Sequence, residues 1–95
     1  MKVLYENYKP EYASNVVMHN VDGVDKRFKI TCENGNCYFR LRVYIQTVNG
    51  DFAQIACQDD LNGVEHINYM WDDDTRINYN AGNIAIAKSY IEKVF

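Results

Sequence analysis

No stretch of this chain approaches roughly 18 consecutive apolar residues, so no membrane-spanning helix is expected. Its first residues, Met1-Lys2-Val3-Leu4-Tyr5-Glu6, hold neither a long apolar run nor a small-residue cleavage site, and no secretory signal is read there. There is no Asn-x-Ser/Thr sequon, no Cys-x-x-Cys and no glycine-rich phosphate loop. The three cysteines are an odd number, and reduced thiols in a cytoplasmic setting are the expectation. No repeat, linker or low-complexity segment divides the sequence, so residues 1–95 form one domain.

The composition is that of a globular protein: 47% hydrophobic, 24% charged, net charge −3. That charge, averaged over the surface, argues against a dedicated nucleic-acid binder. Eight Tyr and eleven Asn are many for this length, a usage favoured by AT-rich genomes, including those of bacteria and their phages and mobile elements.

Against these absences stand four Asx-Gly steps: Asp22-Gly23, Asn34-Gly35, Asn49-Gly50 and Asn62-Gly63. Such steps between alternating runs mark hairpins, because both residues tolerate the positive φ that tight turns require. Four in series predict a four- to five-stranded antiparallel meander. The runs Lys26–Glu33 and Asn36–Val48 alternate with period two, placing Phe28, Ile30, Cys32, Cys37, Phe39, Leu41, Val43 and Ile45 on a buried face. Matching buried faces sets the register, since a one-residue slip inverts a strand. A two-residue Asn34-Gly35 turn then pairs Cys32 with Cys37, Ile30 with Phe39 and Phe28 with Leu41. A three-residue loop Val48-Asn49-Gly50 pairs Ile45 with Ala53, Val43 with Ile55 and Leu41 with Cys57. A similar loop Leu61-Asn62-Gly63 pairs Cys57 with Ile67, Ile55 with Tyr69 and Ala53 with Trp71, burying both aromatics. Residues 64–74 also fit a helical stripe through Leu61, Val64, Ile67 and Trp71, so they read as strand or helix. The strand over 15–21 has no clear alternation, and its register stays open.

The C-terminal segment reads as a helix packed on the apolar sheet face, giving an α+β fold. Asn80 suits the N-cap, and Ile84, Ala87, Ile91 and Val94 or Phe95 form one stripe. The N-terminal segment, with Val3, Leu4, Tyr5, Tyr8 and Tyr12, is expected to shield the rest of that face.

This register puts Arg27 opposite Arg42 and Lys29 opposite Arg40 on the outer face, with Tyr38 and Tyr44 beside them. Cations interleaved with aromatics on an antiparallel sheet suit single-stranded nucleic acid, phosphates meeting cations and bases meeting rings. The same residue types also serve as an ordinary solvated strand face. The acidic residues gather elsewhere. Asp59, Asp60 and Glu65 surround the Asn62-Gly63 turn, and Asp72-Asp73-Asp74 follow Trp71. The Asp run fails the calcium-loop pattern, because Arg76 and Ile77 stand where a ligand and a glycine are needed, and no metal or cofactor is assigned. As an ordinary solvated turn it needs no partner; as an acidic prong it would fit a basic one.

Catalysis finds no constellation. Cys32 and Cys37, read as a cross-strand pair, are close enough to bridge under oxidising conditions and act otherwise as small buried hydrophobes. Cys57 faces inward and His66 outward, which opposes a nucleophile–base pair. The reading is of a small non-enzymatic protein-binding module, an inhibitor or adaptor acting through charged patches. A phage-type antagonist of a nucleic-acid-binding defence complex, such as an anti-CRISPR protein, is one concrete version. Its partner would be a basic or nucleic-acid-binding protein met by Asp59, Asp60, Asp72, Asp73 and Asp74. The alternative is a single-stranded nucleic-acid-binding domain using Arg27, Lys29, Tyr38, Arg40, Arg42 and Tyr44. Exposed edge strands would also allow a homodimer.

Overall fold

Five consecutive strands form one antiparallel sheet in chain order: β1 (Lys2–Tyr8), β2 (Tyr12–Val21), β3 (Val24–Asn34), β4 (Phe39–Gln46) and β5 (Phe52–Cys57). A 3-10 turn, Gln58–Asp60, follows β5, and the 22-residue helix α1 (Asp73–Val94) closes the chain. The computed structural model describes all residues from Met1 to Phe95. The fold is α+β, a five-stranded meander with one C-terminal helix on one face.

Alternation in β3 is the organising signal. Phe28, Ile30, Cys32 and Asn34 point inward and are completely buried. They align with Ile45, Val43, Leu41 and Phe39 of β4 and, on the other side, Phe28, Ile30 and Cys32 with Val17, Asn15 and Ala13 of β2. From the helix, Ile84, Ala87 and Ile91 complete a core of 13 residues. Each large side chain fully buried there contributes about 1.5–3 kcal/mol. At about 1.5 Å per residue α1 is some 33 Å long, and it lies mainly over β2 and β3. The opposite sheet face has no covering layer. No helix is long and apolar enough to cross a membrane.

The first turn follows its signal: Asp22 (φ 51°) and Gly23 (φ 86°) join Val21 to Val24 in two residues. Asn20 reinforces it by accepting from Gly23 N at 3.0 Å. The second turn departs from expectation. Asn34 is opposite Phe39, so Cys32 meets Leu41 and not Cys37, and Ile30 meets Val43. The cause is Asn34 itself. Its side chain turns into the core to bond Asn80 and Arg76, so it cannot serve as a turn corner. The chain reverses instead through Gly35–Tyr38, with Gly35 N donating to Tyr38 O at 2.9 Å. The slip of four residues along β4 is even, so the buried face survives it.

The three-residue loop Val48-Asn49-Gly50 forms as expected, with Gly50 at φ 90° and Ile45 opposite Ala53. A bulge between Val43 and Tyr44 then sets Ala56, not Ile55, against Val43 and puts Cys57 opposite Arg42. β1 carries its own bulge at Leu4. Both edge strands are thus kinked, a feature that discourages edge-to-edge pairing.

Residues 64–72 form neither the predicted strand nor the predicted helix. Gly63 does turn the chain (φ 85°), but the following segment runs along the flank of α1. There Asn83 accepts from Glu65 N and donates to Glu65 O, both at 2.9 Å, taking the backbone groups a strand ladder would need. The fifth strand is β1, which pairs with β2 where the sequence suggested a shielding segment. The helix also starts earlier than Asn80. Asp72 caps it, accepting from Thr75 N at 2.9 Å, and Asn80 lies buried in its middle.

Candidate functional site

Two surfaces concentrate exposed, interaction-prone side chains. The first is built where residues 65–72 meet the N-terminal half of α1. The Asn83 clamp fixes Glu65, Ile67 is buried beneath the segment, and Trp71 N donates to Asn68 O at 3.1 Å to close a turn. This turn lifts Tyr69, Met70 and Trp71 into solvent, 45%, 76% and 38% exposed. The Trp71 ring meets Tyr79, itself 36% exposed, with centroids 5.0 Å apart. The sequence register buries Tyr69 and Trp71; in the structure they are a surface patch.

Three carboxylates border this patch. Asp72 accepts from Thr75 N and from Thr75 Oγ1 at 2.8 Å, and these hydrogen bonds hold its carboxyl below the ordinary value of 3.8. Asp73 and Asp74 occupy the exposed first helical turn, where negative charge complements the helix dipole. The Asp run is thus a helix start, with Asp72 committed to capping and the other two free. Below Tyr79 a small cleft of about 280 Å³ is lined by Glu65, Asn78, Tyr79, Gly82, Asn83 and Ile86.

Asp59 and Asp60 lie apart from the Asp run in sequence and on a different element, the 3-10 turn after β5. Asp60 accepts from Cys57 N at 2.8 Å, and Asp59 stands near the Cys57 thiol at 4.0 Å. Asp60 also borders a wider groove of about 520 Å³ floored by Leu61, Ile86, Tyr90 and Val94. No three His, Cys, Asp or Glu side chains come together where a metal ion could be held.

The second surface is the uncovered sheet face. Register places Lys2, Arg27, Lys29, Arg40 and Arg42 there with only Asp25 and Glu33 of opposite sign. The like-charge oppositions that the sequence register implies do not occur. Arg27 faces Met18, Lys29 faces Tyr44, Arg42 faces Thr31, and Arg40 faces Glu33. The rings are engaged as well. Lys29 Nζ lies 5.4 Å from the Tyr44 centroid and 5.5 Å from that of Phe52, and the Arg40 guanidinium lies 4.8 Å from Tyr38. Tyr38 also packs against Gly35 so closely that an added Cβ would sit 2.5 Å from its ring. Phe52 was legible from the three-residue loop, which sets it opposite Gln46; Tyr5 and Met18 were not, because β1 carried no turn signal.

The cysteines do not pair; all three are free. Cys32 is buried and donates to Asn80 Oδ1 at 3.2 Å, and burial pushes its thiol up to about 12, while Cys37 is exposed in the β3–β4 turn. His66 lies against the Phe39 ring at 5.0 Å. Compared with protein-family models, with curated proteins and with solved structures, the chain gives no match.

Proposed function

We propose that the chain is a non-enzymatic protein-binding module, an inhibitor or adaptor, that docks a basic partner on the patch formed by Tyr69, Met70, Trp71 and Tyr79 and bordered by Asp73 and Asp74. The observation that carries this reading is the exposed Trp71–Tyr79 ring pair beside free carboxylates. Trp and Tyr dominate binding hot spots, because they bury large areas at little conformational cost, and Met adapts to irregular surfaces. A surrounding rim of one charge steers and orients a partner of the other. A protein that binds nucleic acid offers such a basic surface. A phage-type antagonist of a nucleic-acid-binding defence complex, such as an anti-CRISPR protein, is therefore the concrete form we favour, supported by small size and acidic net charge.

The test is capture of a basic, nuclease-resistant partner by wild type, Trp71→Ala and Asp73→Lys with Asp74→Lys. Capture should fall at least tenfold in both variants while their circular dichroism stays native. Equal capture by all three would overturn the reading.

Single-stranded nucleic-acid binding by the outer sheet face ranks second. Its five cations support it, but Tyr38, Tyr44 and Phe52 already hold Arg40 and Lys29, which leaves few free ring faces for bases. Oligothymidylate binding that weakens steeply with salt and is lost in Arg40→Glu with Arg42→Glu would promote this reading over the first.

A further inference from the structure

We infer that the cleft beneath Tyr79 is a receptor for an arginine side chain of the docked partner, with Glu65 as its counter-charge and Gly82 as the opening that admits it. This inference rests on the docking reading above and names the chemistry at its centre.

Gly82 is the first observation. It stands in the interior of α1, ten residues from the helix start, where glycine is the least favourable residue after proline. No positive φ requires it, and a Cβ built there meets nothing within 4 Å. Neither backbone geometry nor packing explains the glycine. What it does is leave space, and that space is the cleft.

The cleft's size and walls choose the guest. About 280 Å³ is small for a drug-sized ligand and ample for one long side chain. The Tyr79 ring and the Ile86 side chain supply apolar surface, which suits the flat, weakly hydrated guanidinium and its methylene stem. Glu65 at the rim supplies the negative charge. Its backbone is fixed at both N and O by Asn83, so the carboxylate is presented from an anchored position. No cation pairs with it within the chain. A carboxylate that can meet a guanidinium with two parallel hydrogen bonds discriminates arginine from lysine.

The experiment titrates 15N-labelled protein with hexa-arginine and, separately, with hexa-lysine, following amide shifts. Hexa-arginine should move residues 65, 79, 82 and 83 saturably and bind at least fivefold tighter than hexa-lysine. Glu65→Gln should weaken hexa-arginine about tenfold. Gly82→Ala should weaken it by a similar factor while raising Tm by about 4 °C, because alanine improves the helix and fills the cleft. That opposite movement of stability and binding separates a cleft function from a structural role. Equal affinity for the two peptides, or a Gly82→Ala protein that binds undiminished, would overturn the inference. If Gly82→Ala keeps full partner capture while Trp71→Ala loses it, docking on the patch stands and the arginine receptor falls. If the cleft binds hexa-arginine but Trp71→Ala and the Asp73/Asp74 reversal leave capture intact, the docking reading falls and the receptor stands.

Discussion

Arg76 reaches across the core to Asn34, 42 residues earlier, donating from Nη2 to Asn34 Oδ1 at 2.8 Å and to its backbone carbonyl at 3.4 Å. Only 7% of Arg76 is exposed, its Nε has no partner, and no carboxylate pairs with it. The buried charge therefore leans on two neutral oxygens of one residue. Asn34 in turn donates to Asn80 Oδ1 at 2.8 Å, so helix and sheet are joined by a polar bridge at one end of an otherwise apolar interface.

Removing Asn34 strands that charge. Hydrogen bonds to charged groups are worth about 1.5–3 kcal/mol, and orphaning the charge adds its desolvation. Asn34→Ala should destabilise by about 3–4 kcal/mol and Arg76→Met by about 1–2 kcal/mol, since methionine fills the space without a charge. Urea unfolding of the single and double variants should give a coupling of about 1.5–3 kcal/mol. Strictly additive losses would show that the contact contributes nothing.

This bridge also explains which parts of the fold were legible in the sequence. Alternation across Phe28–Cys32 and Phe39–Ile45 reports only which face is buried, and that reading held through a four-residue error in register. Asn34-Gly35 resembles a turn signal, but nothing local reveals that the Asn34 amide is claimed by residues 42 and 46 positions away. Asn80 misleads for the same reason: a cap-forming residue by type, it is a core bridge by contact. β1 was missed because its connection to β2, Lys9-Pro10-Glu11, has no Asx-Gly step. Trp71 was placed inward because an apolar residue at an expected strand position is normally core; the Asn83 clamp on Glu65 that cancels the strand is a contact across 18 residues. The acidic candidates were visible as charge, whereas the aromatic patch that gives Asp73 and Asp74 a context was not.

Asn80 holds the other half of the bridge. Its Nδ2 donates to Lys9 O at 2.7 Å and to Pro10 O at 3.2 Å, and its Oδ1 accepts from Asn34 and Cys32. It therefore ties the β1–β2 turn to the helix. Asn80→Leu should cost about 3 kcal/mol by leaving several buried groups unpaired. Hydrogen exchange should quicken first at Tyr12 and Asn34, whose amides bond the turn carbonyl network, before the β4–β5 ladder changes. Uniform acceleration over all five strands would contradict a local tie.

Asp72 gives the helix start a pH dependence. Its folded pKa lies below the ordinary 3.8, chiefly through the Thr75 N–H hydrogen bond. A lowered folded value means that ionised Asp72 stabilises above the ordinary pKa, and that this contribution is lost as pH falls through the folded one. Asp72→Asn keeps an acceptor for Thr75 N but cannot titrate. Tm measured from pH 6 to 2 should show wild type above the variant at pH 6, with the gap closing below pH 3.8. Parallel curves throughout would mean that the cap works without its charge.

Thiol reactivity should separate the three cysteines by burial. Cys37 is exposed and should react with iodoacetamide first, Cys57 is half-buried, and Cys32 is buried with its thiol pushed up to about 12. Because only the thiolate attacks, native Cys32 should be modified at a rate set by transient opening. Its raised folded pKa also lowers stability at high pH: the unfolded thiol ionises near 9.0, the folded one only near 12, so stability falls as pH rises between them. Asn80→Leu, by loosening the same end of the core, should speed Cys32 alkylation without changing that of Cys37. Mass spectrometry of timed, quenched samples reads all three sites at once. Labelling of Cys32 as fast as Cys37 under native conditions would show that the Asn34–Asn80–Arg76 end of the interface does not stay closed.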